Sequence, residues 1–291
     1  MPFKWNSLAI RLDARSDDLS MKARRPRALL IDMDGLLFHG DRPLPGAQRL
    51  LTRVAATPHA FVTNNPVRAP EEAADALLAM GLPRPDPARI LTSALATARW
   101  LAKVRPGFRY FAVGAPGLDA ALRTVGRPDQ EHADVVVVGE GPGLDFDHLT
   151  TGINLILSRG ARLVATNPDP TVDGVRDGRH LLLPGGGALV APFAAATGVT
   201  PTIVGKPEPL LYEIALEILG CGAGECMMIG DRPDTDIVGA ERLGMWTALV
   251  RTGRFAPGRR WVEGILPPDY DLTSLDDLMA ALDRDFPGLL G

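Results

Sequence analysis

Cysteine is scarce in this sequence of 291 residues, which contains only Cys221 and Cys226. Their C-x4-C spacing has no histidine or third cysteine nearby, and structural zinc sites need a larger ligand set than this. The pattern therefore favours two reduced cysteines at a helix-to-strand turn over a metal site.

Long apolar runs and a strong excess of charge are also missing. No apolar run approaches the ~20 residues of a membrane-spanning helix. The first 25 residues mix Arg, Lys and Asp without a continuous apolar segment, unlike a secretory signal. The net charge of -4 gives no general attraction to nucleic acid, and the arginines from Arg251 to Arg260 are typical of a solvated surface. We expect a cytoplasmic globular protein that has neither nucleic-acid nor membrane partners.

What the sequence does contain is a short apolar run that ends in two carboxylates, Asp32 and Asp34. A continuous apolar run that leads into a glycine is typical of a buried parallel strand. Side chains at positions i and i+2 of an extended chain point the same way, so both carboxylates are predicted to face one crevice. Open α/β sheets bind their ligands at this end of the strands. Because two adjacent carboxylates repel each other, we expect a divalent cation or a lysine beside them.

Two further groups of polar side chains stand at predicted strand or helix ends. Thr63, Asn64 and Asn65 follow the predicted strand 59–62, and their hydroxyl and amide groups suit phosphate oxygens. The alternative is that Asn and Pro form a simple turn at this point. Lys206 stands just before the predicted helix 208–219, where a lysine and the helix dipole favour the same anion.

A third group of acids follows the apolar run from Cys226 to Ile229. Asp231, Asp234 and Asp236 are three carboxylates within six residues. Helix capping needs only one acid, whereas a hard cation such as Mg²⁺ takes several oxygen ligands. The surplus of acids therefore predicts a metal site.

Alternating strands and helices predict an α/β fold with a largely parallel sheet. The proline-rich segment 82–87 predicts a domain boundary. We expect a flexible N-terminal extension at 1–25, a catalytic core at 26–83 and 199–291, and a separate α/β domain at 84–198. Glycines at 139–143 follow a valine run, but the G-x-G-x-x-G spacing is incomplete, which argues against a dinucleotide site.

The ordered motifs D-x-D-G, T-N-N, G-K-P and G-D-R-x-D-T-D resemble those of the haloacid dehalogenase superfamily of phosphatases. The resemblance covers about residues 25–275. The long insertion between the second and third motifs, with Thr-Asn-Pro-Asp at 166–169, resembles the class IIA branch of NagD-like, p-nitrophenyl and pyridoxal phosphatases. The resemblance implies a Rossmann-like, doubly wound parallel sheet core with an inserted α/β cap domain of the C2 type.

The resemblance also implies a role for each candidate site residue. Asp32 is expected to form an aspartyl-phosphate, and Asp34 to act as general acid and then general base. The residues expected to hold the phosphoryl group are Thr63, Asn64, Asn65 and Lys206. The residues expected at a Mg²⁺ ion are Asp32, Asp34 through its backbone carbonyl, Asp231 and, supporting from nearby, Asp236.

The expected activity is Mg²⁺-dependent hydrolysis of a small phosphorylated metabolite such as a sugar phosphate, a nucleotide, phosphoglycolate or pyridoxal phosphate. Two alternatives stay open: a phosphotransferase or phosphomutase that uses the same aspartyl-phosphate, and a non-catalytic protein that binds a phosphorylated metabolite. A binder has no need for Asp34, which favours the enzyme. The resemblance further implies a homodimer through the cap domain. The sequence departs from the branch at two places: Pro66 stands where the branch commonly has serine, and the flap at 36–39 has no Trp or Tyr. Because of these departures, the resemblance does not identify the substrate.

Overall fold

The computed structural model of the protein describes residues 25–176 and 179–291. The predicted N-terminal extension at 1–25 lies outside these residues, apart from Arg25. The strands are, in chain order, β1 (Ala28–Asp32), β2 (Phe38–His39), β3 (Arg42–Pro43), β4 (His59–Thr63), β5 (Ile90–Thr92), β6 (Arg109–Val113), β7 (Arg127–Pro128), β8 (Val135–Val138), β9 (Arg162–Ala165), β10 (Thr171–Arg176), β11 (Arg179–Pro184), β12 (Thr202–Ile203), β13 (Cys226–Gly230), β14 (Trp246–Val250) and β15 (Tyr270–Leu272).

The helices alternate with these strands through most of the chain. They are α1 (Ala47–Arg53), α2 (Pro70–Ala79), α3 (Ser93–Val104), α4 (Pro116–Arg123), α5 (Phe146–Arg159), α6 (Gly186–Thr197), α7 (Pro209–Leu219), α8 (Val238–Arg242) and α9 (Leu275–Asp285). Local chemistry sets their ends: the Asp145 carboxylate accepts a hydrogen bond from the His148 backbone N–H at the start of α5, and Gly160 ends that helix at φ 72°. Within the described ranges, no helix combines the length and apolarity that a membrane crossing requires.

The main sheet has the order β15-β14-β13-β1-β4-β5, and its neighbouring strands are all parallel. Alternate residues of the central strand β1 enter two different cores. Leu29 and Ile31 pack with Leu50 of α1, whereas Leu30 packs with Leu211 of α7. Both faces of the sheet are therefore covered, which explains the continuous apolar sequence of β1 and confirms the predicted doubly wound α/β fold.

A second parallel sheet, in the order β12-β9-β8-β6-β7, forms the centre of what we call the second domain, residues 109–203. The antiparallel hairpin β10–β11 belongs to the same stretch of chain. One apolar cluster contains Leu30 and Val62 of the main sheet together with Tyr110 and Val135 of the second sheet. Continuous packing therefore joins the two domains.

The predicted domain limits differ from the two sheets at both ends of the insertion. β5 falls inside the predicted cap range 84–198 but pairs with β4 in the main sheet. β12 falls in the predicted core but pairs with β9 in the second sheet. After the proline-rich segment 82–87, the chain first returns to the edge of the main sheet as β5, so this segment does not mark the start of the second domain. The two-residue strand β12 is too short for its sequence to show which sheet it joins.

Candidate active site

The carboxyl ends of β1, β4 and β13 lie side by side and open into a cavity of about 480 Å³ between the two domains. Seven of the eight predicted site residues line it: Asp32, Asp34, Thr63, Asn64, Asn65, Lys206 and Asp231. Asp236, the eighth, is fully buried behind this wall. The parallel pairing of the strands therefore brings together side chains that are nearly 200 residues apart in the sequence.

Lys206 lies between Asp32, which also lines the cavity, and Asp236, which is buried behind it. Its Nζ is 2.5 Å from Oδ1 of Asp32 and 2.7 Å from Oδ1 of Asp236, and it donates a longer bond of 3.4 Å to the Val62 carbonyl. Burial lowers the pKa of Lys206, but the charges of Asp236 and Asp32 outweigh this and hold the pKa above its usual range. Lys206 is therefore a permanent positive charge beside Asp32.

Three buried carboxylates, those of Asp32, Asp231 and Asp236, each place an oxygen within 4.8 Å of the other two. Oδ2 of Asp231 accepts a hydrogen bond of 3.0 Å from the Arg254 backbone N–H. Its Oδ1 is buried and has no hydrogen-bond partner among the described residues. Burial, with Asp236 adding, raises the pKa of Asp231 to about 7. A buried acceptor without a partner is costly, so these oxygens fit a hard divalent cation such as Mg²⁺.

Asp236 has less capacity for a cation than Asp231. Its Oδ2 accepts a bond of 3.0 Å from the Arg232 backbone N–H, and its Oδ1 faces Lys206. A Cβ atom on Gly230 would lie 2.3 Å from the Asp236 carboxyl, so only glycine fits at the end of β13. Asp236 is thus held where it orients Lys206 and adds negative charge beside Asp231.

The side chain of Asp34 is outside this group of three carboxylates. It is exposed to the cleft, and its Oδ2 accepts a hydrogen bond of 3.2 Å from the Thr63 hydroxyl. Loss of hydration in the cleft raises the pKa of Asp34, although Thr63, Lys206 and Arg68 oppose the change. A carboxyl group with a raised pKa that is open to the cleft suits proton transfer.

The side chain of Asn64 binds the protein itself, and a contact between this residue and phosphate stays a prediction. Its Nδ2 donates to the Lys206 carbonyl at 2.9 Å and to Oδ2 of Asp169 at 2.8 Å. Its Oδ1 accepts from the Lys206 backbone N–H at 2.7 Å. Both donors of the amide are therefore used, and Asn64 positions the backbone of Lys206. The sequence shows a hydrogen-bonding side chain at the end of a strand, but it does not show which group that side chain bonds.

Asn65 forms the turn that the sequence offered as the alternative. Its Oδ1 accepts a hydrogen bond of 2.9 Å from the Val67 backbone N–H, and its own N–H donates to the Thr63 hydroxyl at 3.1 Å. The residue still lines the cavity. A contact between Asn65 and phosphate stays a prediction.

The second domain supplies site residues to which sequence analysis assigned no role. Nδ2 of Asn167 donates to the Asn64 carbonyl and to Oε1 of Glu140, both at 2.8 Å. Oδ1 of Asp169 lies 2.5 Å from Nη1 of Arg232. Asn167 and Asp169 belong to the Thr-Asn-Pro-Asp motif, so this motif was the available signal. Glu140 had no comparable signal.

Two glycines leave room for Asp231. A Cβ atom on Gly253 would lie 2.0 Å from its Oδ2, and one on Gly35 would lie 2.6 Å from the same atom. Gly35 also has φ 83°, a left-handed conformation that favours glycine. The approach of these two loops therefore fixes the Asp231 carboxylate in place.

Two family models match the chain. One, described as a haloacid dehalogenase-like hydrolase, matches residues 29–127, and the other, described as HAD-hydrolase-like, matches residues 203–278. An acid sugar phosphatase of Staphylococcus aureus is 35% identical over 266 residues, which cover 89% of this chain and 98% of that protein.

Similar solved structures include phosphatases. A double mutant of a thermostable NPPase from Geobacillus stearothermophilus has a TM-score of 0.78 at 35% identity, covering 88% of this chain and 98% of that one. A p-nitrophenyl phosphatase from Archaeoglobus fulgidus has a TM-score of 0.79 at 30% identity, covering 89% of this chain and 100% of that one. A glycerol phosphate phosphatase from Mycobacterium tuberculosis, in complex with calcium, has a TM-score of 0.75 at 33% identity, covering 87% and 74%.

Proposed function

The chain belongs to the haloacid dehalogenase-like hydrolases, in their class IIA branch, and is a phosphoric monoester hydrolase; from this premise we propose a Mg²⁺-dependent sugar or polyol phosphatase that works through an aspartyl-phosphate. The substrate class is supported by the names of two relatives, an acid sugar phosphatase and a glycerol phosphate phosphatase.

The single observation that carries the mechanism is the different surroundings of Asp32 and Asp34. Asp32 is buried against Lys206 and beside Asp231, whereas Asp34 is open to the cleft and bonded to Thr63. One carboxylate is therefore set up to face phosphate next to positive charge, and the other to move a proton. A symmetric pair would not divide the two tasks in this way.

In the first half of the proposed reaction, an Asp32 oxygen forms a bond to phosphorus while the bond from phosphorus to the alcohol oxygen breaks. Asp34 donates its proton to that departing oxygen. The raised pKa of Asp34 keeps a fraction of the group protonated for this step. Lys206 stabilises the negative charge on the phosphoryl oxygens.

In the second half, Asp34, now a carboxylate, takes a proton from a water molecule. The water oxygen attacks phosphorus, the bond to Asp32 breaks, and inorganic phosphate and the Asp32 carboxylate are regenerated. Asp34 ends the cycle protonated, as it began.

The residues that would hold Mg²⁺ are Asp32, Asp231 and the backbone carbonyl of Asp34, with Asp236 beside them. The unpartnered Oδ1 of Asp231 and the hard oxygen ligands of this group fit that ion. When bound, the cation neutralises the charge of the phosphate ester.

A panel of phosphate monoesters, assayed with Mg²⁺ and including p-nitrophenyl phosphate, tests the proposal. Wild-type protein should hydrolyse p-nitrophenyl phosphate and one or more sugar or polyol phosphates, whereas the Asp32→Asn variant should be inactive with an unchanged circular dichroism spectrum. Substantial activity in Asp32→Asn would overturn the mechanism. Adding a sugar acceptor and analysing the products distinguishes transfer to water from transfer to a hydroxyl group.

The predicted homodimer through the second domain also remains a proposal. Exposed apolar side chains support it: Leu181 and Leu182 of β11 are 43% and 68% exposed. A mass measurement in solution should give twice the 31.1 kDa of one chain.

A further inference from the structure

Glu140 follows β8 and carries a buried carboxyl group that the proposed mechanism does not use. Its side chain lines the same cavity as Asp34, although the residue is only 3% exposed. Oε1 accepts the hydrogen bond from Asn167, and no other described residue bonds to the carboxyl group. Among the hydrogen bonds of the described residues, Oε2 has none, so it is available to a molecule that occupies the cavity.

The backbone holds Glu140 in place before any ligand binds. Its carbonyl accepts a hydrogen bond of 2.7 Å from the Ala115 N–H. The next residue, Gly141, has φ 118°, and a Cβ atom there would lie 2.6 Å from the Ala115 nitrogen. This close approach of two loops, possible only with glycine, fixes the direction from which the carboxyl group enters the cavity.

Hydrogen bonds connect Glu140 to the catalytic residues. Asn167, which bonds Oε1 of Glu140, also donates to the Asn64 carbonyl, and the Asn64 side chain holds the backbone of Lys206. The position of Glu140 is therefore set relative to the site where the phosphoryl group is transferred. A ligand group placed by Glu140 would be placed relative to phosphorus as well.

The charge state of Glu140 limits what it can bind. Burial raises its pKa to about 8, with Asn167 and Arg254 opposing and Asp169 and Asp34 adding to the rise. At neutral pH a large fraction of the group is a carboxylic acid, which both donates and accepts hydrogen bonds. A hydroxyl group matches this chemistry, whereas a second anion on the substrate does not.

We propose that Glu140 binds a hydroxyl group of the leaving alcohol and so selects sugar and polyol phosphates over phosphate esters that lack this hydroxyl. The inference rests on the proposed function, in which Asp34 protonates the leaving oxygen. The leaving alcohol then occupies the part of the cavity beyond Asp34, and Glu140 lines that cavity. Sites built to bond a hydroxyl reject analogues without it strongly, because the buried group is left unpaired.

The test compares kcat/KM for three esters: glycerol 3-phosphate, propyl phosphate, which lacks the hydroxyl groups, and p-nitrophenyl phosphate. Wild-type protein should prefer glycerol 3-phosphate to propyl phosphate by about 100-fold. In Glu140→Leu this preference should fall at least about tenfold, since the loss falls on the hydroxylated ester. Glu140→Gln, whose amide also donates and accepts, should keep most of the preference. Glu131→Gln, which changes an exposed residue of the same domain, serves as the control. This variant should keep the full preference for glycerol 3-phosphate.

An unchanged preference in Glu140→Leu overturns the inference. An equal loss on all three esters also overturns it, because that pattern shows a structural role. Turnover of p-nitrophenyl phosphate by wild-type protein reports the proposed function separately. A protein that hydrolyses it without preferring the hydroxylated ester overturns only the inference about Glu140, whereas one that hydrolyses no ester overturns both.

Discussion

Nζ of Lys206 lies 2.5 Å from Oδ1 of Asp32, although 174 residues separate the two in the sequence. Both side chains are almost completely buried. Burying an ion pair costs much of the attraction that it gains, so a pair of this kind is weak evidence for stability alone. Its position at the end of β1, inside a phosphatase cleft, indicates a catalytic reason for the pairing.

Lys206→Met should lower kcat/KM for p-nitrophenyl phosphate by about 10²–10³-fold, because the phosphoryl oxygens lose a fixed positive charge. It should also lower the free energy of unfolding by about 3–5 kcal/mol near pH 8, because Asp32 and Asp236 stay buried without their partner. Steady-state kinetics and urea denaturation measure these effects. Lys103→Met removes an exposed lysine that pairs with Glu217 and should leave the stability nearly unchanged. Equal effects of the two variants would contradict the assigned role of Lys206.

Mg²⁺ should raise the Tm of the wild-type protein, because an ion that binds only the folded state stabilises it by mass action. Asp231→Asn should abolish this rise, since the asparagine removes one charge from the buried oxygens. Thermal melts with and without Mg²⁺ measure the shift. Asp234→Asn is the matched control: its carboxylate, 58% exposed and paired with Arg232, lies in the same loop. If Asp234→Asn lost the Mg²⁺-dependent rise in Tm and Asp231→Asn kept it, the proposed position of the cation site would be wrong.

Glu140 should make the metal-free protein less stable as the pH rises. The pKa of this group is raised from 4.5 to about 8 in the folded state. Its contribution is therefore fully present below pH 4.5 and is lost as the pH rises through about 8. The difference in unfolding free energy between wild type and Glu140→Gln should fall across this window, by about 1.4 kcal/mol per pKa unit at most.

Urea denaturation at several pH values measures that difference. A pH-independent difference for Glu140→Gln would show that its carboxyl group is ionised alike in the folded and unfolded states.

Asn64→Ala should reduce activity through the position of Lys206 and not through direct phosphate binding. Three hydrogen bonds are lost, at about 1 kcal/mol each, and the backbone of Lys206 is freed. We expect kcat to fall by about tenfold or more with little change in KM, as measured by steady-state kinetics. Asn154→Ala, on the exposed face of α5, should leave both constants unchanged. A rise in KM alone would instead favour a direct contact between Asn64 and the substrate.

Gly253→Ala should disable the cation site, because the added Cβ atom would lie 2.0 Å from Oδ2 of Asp231. Either the carboxylate or the loop must move, so activity and the Mg²⁺-dependent rise in Tm should both be lost. Gly222→Ala tests the effect of an added methyl group elsewhere, because its Cβ would meet only Oε2 of Glu225 at 3.6 Å. Normal activity in Gly253→Ala would contradict this prediction, because it would show that the loop can move without displacing the Asp231 carboxylate.

The main strands and the residues at their ends could be predicted because each signal is local. The apolar residues of β1 lead straight into Asp32, and those of β13 lead into Asp231. Both strands are buried on two faces, which leaves a continuous apolar run in the sequence. Parallel strands place their carboxyl ends at one edge, so the meeting of these acids follows from the fold class.

The partners of buried polar groups could not be predicted in the same way. The amide of Asn64 is equally suited to phosphate and to the backbone of Lys206, and only the folded arrangement decides between them. Glu140 is one acid after a valine strand, and nothing near it in the sequence shows that Asn167 faces it. The requirement for Gly253 comes from a loop that approaches Asp231 from elsewhere in the chain.

The measurement that tests the central claim most directly is the search for a phosphoryl group on Asp32. Asp34→Asn protein, mixed with Mg²⁺ and p-nitrophenyl phosphate and quenched in acid, is digested and its peptides are analysed by mass spectrometry. Nitrophenolate leaves without help from an acid, but water is no longer activated, so the aspartyl-phosphate should accumulate on the peptide that contains Asp32. Release of nitrophenol without a phosphorylated peptide, or with the phosphoryl group on another residue, would contradict the account.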